Sequence, residues 1–211
     1  MKPWLAIPVK SLREGKSRLG GVLSGVQRQR LNTMLLEHVL AQAAQFPGAQ
    51  HTLVVTPCAQ AAAVARRAGV EVLVERGVKG MNAALDEARR HVVARHGAYL
   101  MTASCDLPLL RAQDLIALAR VSSAGPAGRG IAIASDHTGH GTNALCVPVD
   151  APFAFGFGSG SAKLHREAAA TCGLPVIEVE RRGLALDLDT PIELHALRTA
   201  VPWLWPQPWA A

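Results

Sequence analysis

The sequence predicts an α/β protein built on a mostly parallel sheet with helices on both faces. Short, β-branched apolar runs alternate with segments of helical periodicity along most of the chain. Clusters of charge and glycine also follow strand-like runs, at the carboxyl edge where open α/β sheets hold their ligands.

The strand-like runs are Trp4 to Val9, Thr52 to Thr56, Val70 to Val74, Ala98 to Thr102, Ile131 to Ala134 and Ala144 to Val149. Each is apolar at nearly every position, as a strand covered on both faces must be. Helical segments are expected at about 25 to 45, 58 to 68, 80 to 96 and 111 to 120. The first opens on Ser24-Gly25-Val26-Gln27, a capping-box spacing, and carries Leu31, Leu35 and Val39 on one face. After about residue 135 the alternation weakens, and an antiparallel or inserted portion is expected there. We assign residues 1–200 to one domain and 201–211 to a tail. With three Trp and three Pro, that tail cannot form a regular helix and is expected to dock on the body.

With 211 residues, 49% of them hydrophobic, the chain can bury a substantial core. Its longest apolar runs fall short of the ~18 to 20 residues that cross a bilayer. The N-terminus enters a strand without an apolar leader, so a cytoplasmic location is expected. Cys58, Cys105, Cys146 and Cys172 lie far apart without metal-binding spacing and read as reduced, buried and inert. A net charge of +6 suits an anionic partner. Nucleic acid is disfavoured, because the arginines are scattered and only 4% of residues are aromatic.

Three segments carry chemistry. Ile7-Pro8-Val9-Lys10 leaves the first strand and continues into Gly15-Lys16-Ser17-Arg18-Leu19-Gly20-Gly21, so Lys10, Lys16 and Arg18 stand among glycines. Glycine admits a phosphate close to backbone and the cations neutralise it, although the spacing is not that of a Walker loop and a solvated basic turn has the same composition. Asp106, in Ser104-Cys105-Asp106-Leu107-Pro108, ends the fourth strand; it suits either a cation held by a nucleotide or a helix cap. In Leu186-Asp187-Leu188-Asp189-Thr190-Pro191-Ile192-Glu193, Thr190 and Glu193 form a capping box with Pro191 at the first helical position. That leaves Asp187 and Asp189 unused as caps, two residues apart in an extended segment and so on one side. Two such carboxylates repel unless a cation lies between them, which points to a divalent metal.

Two glycine-rich turns could cradle a phosphate or carboxylate: Gly139-His140-Gly141-Thr142-Asn143 and Phe157-Gly158-Ser159-Gly160-Ser161. Lys163, His165 and Arg166 read as solvated helix residues, and His137 and His140 as turn residues. In Gly80-Met81-Asn82, Asn82 reads as a helix cap or a base-reading amide.

Pro8-Val9-Lys10, Lys16-Ser17-Arg18-Leu19, Gly80-Met81-Asn82-Ala83-Ala84-Leu85, Asp106-Leu107-Pro108, Gly141-Thr142-Asn143-Ala144-Leu145, Phe157-Gly158 with Ser161, and Leu186-Asp187-Leu188-Asp189-Thr190-Pro191 together resemble the CofC/FbiD guanylyltransferases of coenzyme F-420 biosynthesis. The resemblance covers residues 3 to about 198. It implies a nucleotide-diphospho-sugar-transferase-like fold, of the GT-A or Rossmann-like kind. It further implies that GTP is joined to a small three-carbon phosphoacid with release of diphosphate. Asp106, Asp187 and Asp189 would hold magnesium, and Thr142, Gly158 and Ser161 would bind the phosphoacid. Lys10, Lys16 and Arg18 would act on the GTP phosphates, with Gly80 and Asn82 near the nucleoside.

The phosphoacid would be 2-phospho-L-lactate, phosphoenolpyruvate or 3-phospho-D-glycerate. Met81 and Cys105 depart from the residues expected there, and a pocket they reshape would favour 3-phospho-D-glycerate. A labile diphosphate product suits hand-over to the next enzyme of the pathway, and a homodimer is open, but no residue argues for either. The rivals are a molybdopterin guanylyl- or cytidylyltransferase of the same architecture and a non-catalytic nucleotide-binding protein. The first usually carries a Leu-Ala-Gly-Gly-type loop where this chain has Ile7-Pro8-Val9-Lys10.

Overall fold

A computed structural model describes residues 2–74, 80–124 and 128–204. Seven strands form one sheet: β1 (Trp4–Pro8), β2 (Thr52–Thr56), β3 (Glu71–Val74), β4 (Tyr99–Ala103), β5 (Ile131–Ser135), β6 (Thr142–Pro148) and β7 (Val176–Glu178). Their order across the sheet is β3-β2-β1-β4-β6-β5-β7. The β3-β2-β1-β4 portion is parallel, β6 runs antiparallel to both its neighbours, and β7 is parallel to β5. The reversed strand accounts for the broken alternation expected after residue 135. The edge strand β7, three residues long, is too short to register as an apolar run in the sequence.

Helices α1 (Gly25–Gln45), α2 (Ala59–Arg67) and α4 (Ala112–Ser122) cover one face, with α3 (Met81–Ala94) and α5 (Ser161–Thr171) on the other. Period-two alternation divides each strand between two cores. Leu5, Ile7, Met101 and Ala103 pack toward α1 and α4, while Trp4, Ala6 and Leu100 pack toward α3. Full burial of such side chains contributes about 1.5 to 3 kcal/mol each. The short helices α6 (Arg182–Ala185) and α7 (Pro191–Leu197) follow β7. A third cluster joins Leu19, Leu31 and Leu35 to Leu188, Leu194, Leu197, Val201 and Leu204. Through it the first residues of the tail do dock, with Trp203 stacked on His38 at 4.5 Å between ring centres. The remainder of the tail, 205–211, lies outside the described residues.

The caps match their sequence signatures. Ser24 and Gln27 close a reciprocal capping box on α1, and Thr190 and Glu193 do so on α7 with Pro191 in the first turn. All four cysteines are free thiols; Cys146 alone is fully buried, and the other three are half-buried rather than interior as expected. Among the described residues no helix is long and apolar enough to cross a membrane.

Candidate active site

The chain leaves β1 toward β2 and β3 on one side and reaches β4 on the other, so the carboxyl ends of β1 and β4 flank a topological switch point. Pro8, which has no N–H to donate, pairs with Val55 of β2 but lies beyond the β1–β4 ladder, which stops at Ala6 and Thr102. The two chains part there.

The loop after β1 is tied down at several points. The Val9 amide donates to the Val55 carbonyl at 2.9 Å, the Thr56 hydroxyl donates to the Val9 carbonyl at 2.6 Å, and the buried Asn32 amide donates to the Leu12 carbonyl at 2.9 Å. Lys16 adopts a left-handed conformation, φ 61°, immediately before a 3-10 turn over Ser17–Gly21 whose Leu19 is fully buried. This turns the Lys16 side chain inward, where it is 4% exposed.

Its ammonium donates to Asp106 Oδ2 at 2.5 Å and to Asp189 Oδ1 at 2.9 Å. Burial pushes the ammonium pKa down, but the charges of Asp106 and Asp189 outweigh this and the net direction is up. Lys16 is therefore a permanent cation. Arg18 lies 3.6 Å from the other Asp189 oxygen and is largely exposed, as is Lys10.

Asp106 is no helix cap, since α4 begins at Ala112 and Asp114 accepts from the Arg111 amide. Its carboxylate instead accepts from the Ser104 hydroxyl at 2.6 Å. The Leu188 amide donates to the Asp106 carbonyl at 3.1 Å, and the Leu188 side chain turns into the third core cluster. Alternation then sends Asp187 and Asp189 to the opposite side, as the spacing predicts. The buried Asn143, at the start of β6, donates to Asp187 Oδ1 and to the Ala185 carbonyl, both at 3.3 Å. The Asp187 carboxyl is pushed above its ordinary range, first by burial and then by the charge of Asp106.

Lys16, Asp106, Asp187 and Asp189 thus meet at one rim. No ready cage of three or more His, Cys, Asp or Glu ligands occurs among the described residues, and Lys16 lies between two of the carboxylates. Magnesium seldom uses such a cage. It takes one or two carboxylates together with phosphate oxygens and water, so this donor set suits a magnesium ion arriving with a nucleotide.

A second cluster lies nearby on β6, α5 and the segment before α5. The Thr142 amide donates to Ser161 Oγ at 2.8 Å, and the Thr142 hydroxyl lies 2.9 Å from His165 Nδ1. Gly158 has φ 135° and Gly160 φ 69°, backbone open only to glycine at little cost. His165, read from sequence as solvated, is instead fully buried. Its neighbours Lys163 and Arg166 are exposed as expected.

Asn82 is not the cap of α3, a position held by Gly80 at φ 118°. Its side chain accepts from the Phe157 amide at 2.7 Å and donates to the Phe157 carbonyl at 3.2 Å, latching α3 to the segment before α5. Met81 is exposed at the start of α3, whereas Cys105 packs against the α1/α4 core. His137 and His140 lie in a turn organised by Asp136, which accepts from the Thr138, His140 and Gly141 amides.

Three comparisons bear on this arrangement. Residues 4–198 match the model of a family described as guanylyl transferase CofC like. A phosphoenolpyruvate guanylyltransferase of Rubrobacter xylanophilus is 37% identical over 200 residues, covering 95% of each chain. One of Nocardia farcinica is 39% identical over 193 residues, covering 90% of this chain and 82% of its own. Among solved structures, a nucleotidyl transferase from Methanothermobacter thermautotroptrophicus superposes with a TM-score of 0.61 at 16% identity, covering 95% of this chain and 98% of its own. The fold is that of the nucleotidyltransferases. By sequence, over nearly its whole length, the chain belongs to the CofC-like guanylyltransferase family.

Proposed function

We propose that this protein transfers the guanylyl group of GTP to the phosphate of a three-carbon phosphoacid, releasing diphosphate, in coenzyme F-420 biosynthesis. The reading is carried by one observation: Lys16, Asp106 and Asp189 are joined in a single ionic cluster at the switch point, with Asp187 alongside. A phosphate oxygen of the acid bonds to the α-phosphorus of GTP as the bond to the bridging oxygen breaks, and the electron pair leaves with diphosphate. A phosphomonoester has its second pKa near 6 and is already mostly dianionic at neutral pH, so no base is needed. The difficulty is repulsion between polyanions.

Lys16 and Arg18 would meet the triphosphate, with Lys10 at the mouth of the loop. Gly80 exposes backbone at the start of α3 and, with Asn82, would lie near the nucleoside. Thr142, Gly158 and Ser161 would take the phosphoacid. Asp106 and Asp187, with Asp189, would hold magnesium, which when bound neutralises phosphate charge and favours departure of diphosphate.

Among the three acids, phosphoenolpyruvate comes first, because the relatives carry that name. The case for 3-phospho-D-glycerate weakens, since Cys105 packs on the core rather than opening the pocket. The test is diphosphate release with GTP and magnesium against each acid in parallel. The proposal expects release with at least one and fails if none supports it.

A further inference from the structure

The fully buried His165 is hydrogen-bonded at both ring nitrogens to the phosphoacid half of the site. Nε2 lies 3.0 Å from the Gly156 amide nitrogen, which can only donate, so Nε2 is the acceptor. The ring proton is therefore on Nδ1, which donates to Thr142 Oγ1 at 2.9 Å. With its oxygen accepting from the ring, the Thr142 hydroxyl keeps its own hydrogen to donate. No protein group among the described residues accepts that hydrogen, which leaves it for an anionic ligand.

The ring also fixes the surrounding backbone. It stacks on Phe153 at 5.7 Å between centres and meets the edge of Phe157 at 4.6 Å. Its bond to Gly156 holds the segment that continues into Gly158, and the helix that carries it begins at Ser161. The three residues assigned to the phosphoacid thus lie on three pieces of chain that meet at this one imidazole. From α3, Asn82 and Arg89 hold the same segment, at Phe157 and at the Phe153 carbonyl.

We infer that His165 is a positioning residue for the phosphoacid: it sets the Thr142 hydroxyl as a donor and holds Gly158 and Ser161 in register with it. The inference rests on the guanylyltransferase reading above.

The test compares KM for the phosphoacid with KM for GTP, by diphosphate release, in the wild type, His165→Phe and His165→Asn. Phe keeps the ring contacts without hydrogen bonds, whereas Asn retains a donor near the position of Nδ1. His165→Phe is expected to raise the phosphoacid KM about tenfold or more and to leave the GTP KM within about twofold. His165→Asn is expected to recover most of the loss. A merely structural role would move both constants together and show no rescue. If His165→Phe does not fold, His165→Gln replaces it, since its amide reaches toward Gly156 but past Thr142; equal phosphoacid KM for Asn and Gln would overturn the inference. A wild type that turns over while His165→Phe shows an unmoved phosphoacid KM would overturn this inference alone. A wild type that releases no diphosphate with any acid would overturn the guanylyltransferase reading and this one together.

Discussion

The amide of Leu188 donates to the carbonyl of Asp106 at 3.1 Å, and this single backbone bond sets the spacing of the acidic rim. With Leu188 anchored in the third core cluster, its two neighbours have no choice of side. The carboxylates are held by backbone and packing, so the repulsion that Lys16 leaves unrelieved, at Asp187, persists until a further cation meets it.

Asp106→Asn keeps the shape of the side chain while removing the charge that Lys16 meets and that the proposed magnesium ion would share. Diphosphate release with GTP and magnesium is expected to fall at least about a hundredfold. Unchanged diphosphate release would remove Asp106 from the proposed metal site.

Lys16→Met removes the cation that Asp106 and Asp189 share and leaves Asp189 only the exposed Arg18. Because Asp106 and Asp189 keep some contact with water, the loss of stability is expected to be about 1 to 3 kcal/mol, below that for a fully buried pair. Magnesium alone should then raise the melting temperature of the variant more than that of the wild type. Differential scanning fluorimetry with and without magnesium reads both effects, and equal shifts would contradict the arrangement.

His165 gives a pH dependence of defined sign. Burial holds the folded imidazole at about 4, so the ring is neutral in the native state. In the unfolded chain it takes up a proton as the pH falls through about 6.5. This contribution is complete above pH 6.5 and is lost as the pH falls toward 4, with a magnitude of about 3 kcal/mol. Urea midpoints of wild type and His165→Phe between pH 7.5 and pH 4.5 (about three units) should converge on acidification; parallel curves would show that the ring takes up a proton in the fold as readily as in the unfolded chain.

Asn82→Ala releases Phe157 from α3 at both its amide and its carbonyl. The latch joins the proposed nucleoside side to the proposed phosphoacid side, so both KM values are expected to rise several-fold, on the order of 1 kcal/mol each. A change in the GTP constant alone would instead indicate direct contact with the base.

Much of this was legible in the sequence, for identifiable reasons. Strands such as Trp4–Pro8 are apolar throughout because both faces are covered, and the Thr190–Glu193 box declares its helix locally. The separation of Asp187 from Asp189 predicted their shared side because it depends only on the pleat. Strand β7 and helix α6 span three and four residues, too short for periodicity to register. His165 escaped because a histidine between charged helix neighbours looks solvated, and the cover over it comes from Phe153 and Phe157, outside its helix. The contact of Lys16 with Asp106 crosses 90 positions, and that with Asp189 crosses 173, distances no local pattern encodes.

Those separations also bear on the order of assembly. A chain emerging from the ribosome can form β1 to β4 and the first helix layer while residue 189 is still unmade, and during that interval Lys16 has only Asp106 as a counter-ion. Contacts closed over such long loops form late and slow the search for the native state. The acidic rim is therefore among the last parts of the protein to exist, and a nascent chain can carry most of its sheet before it has a site at all.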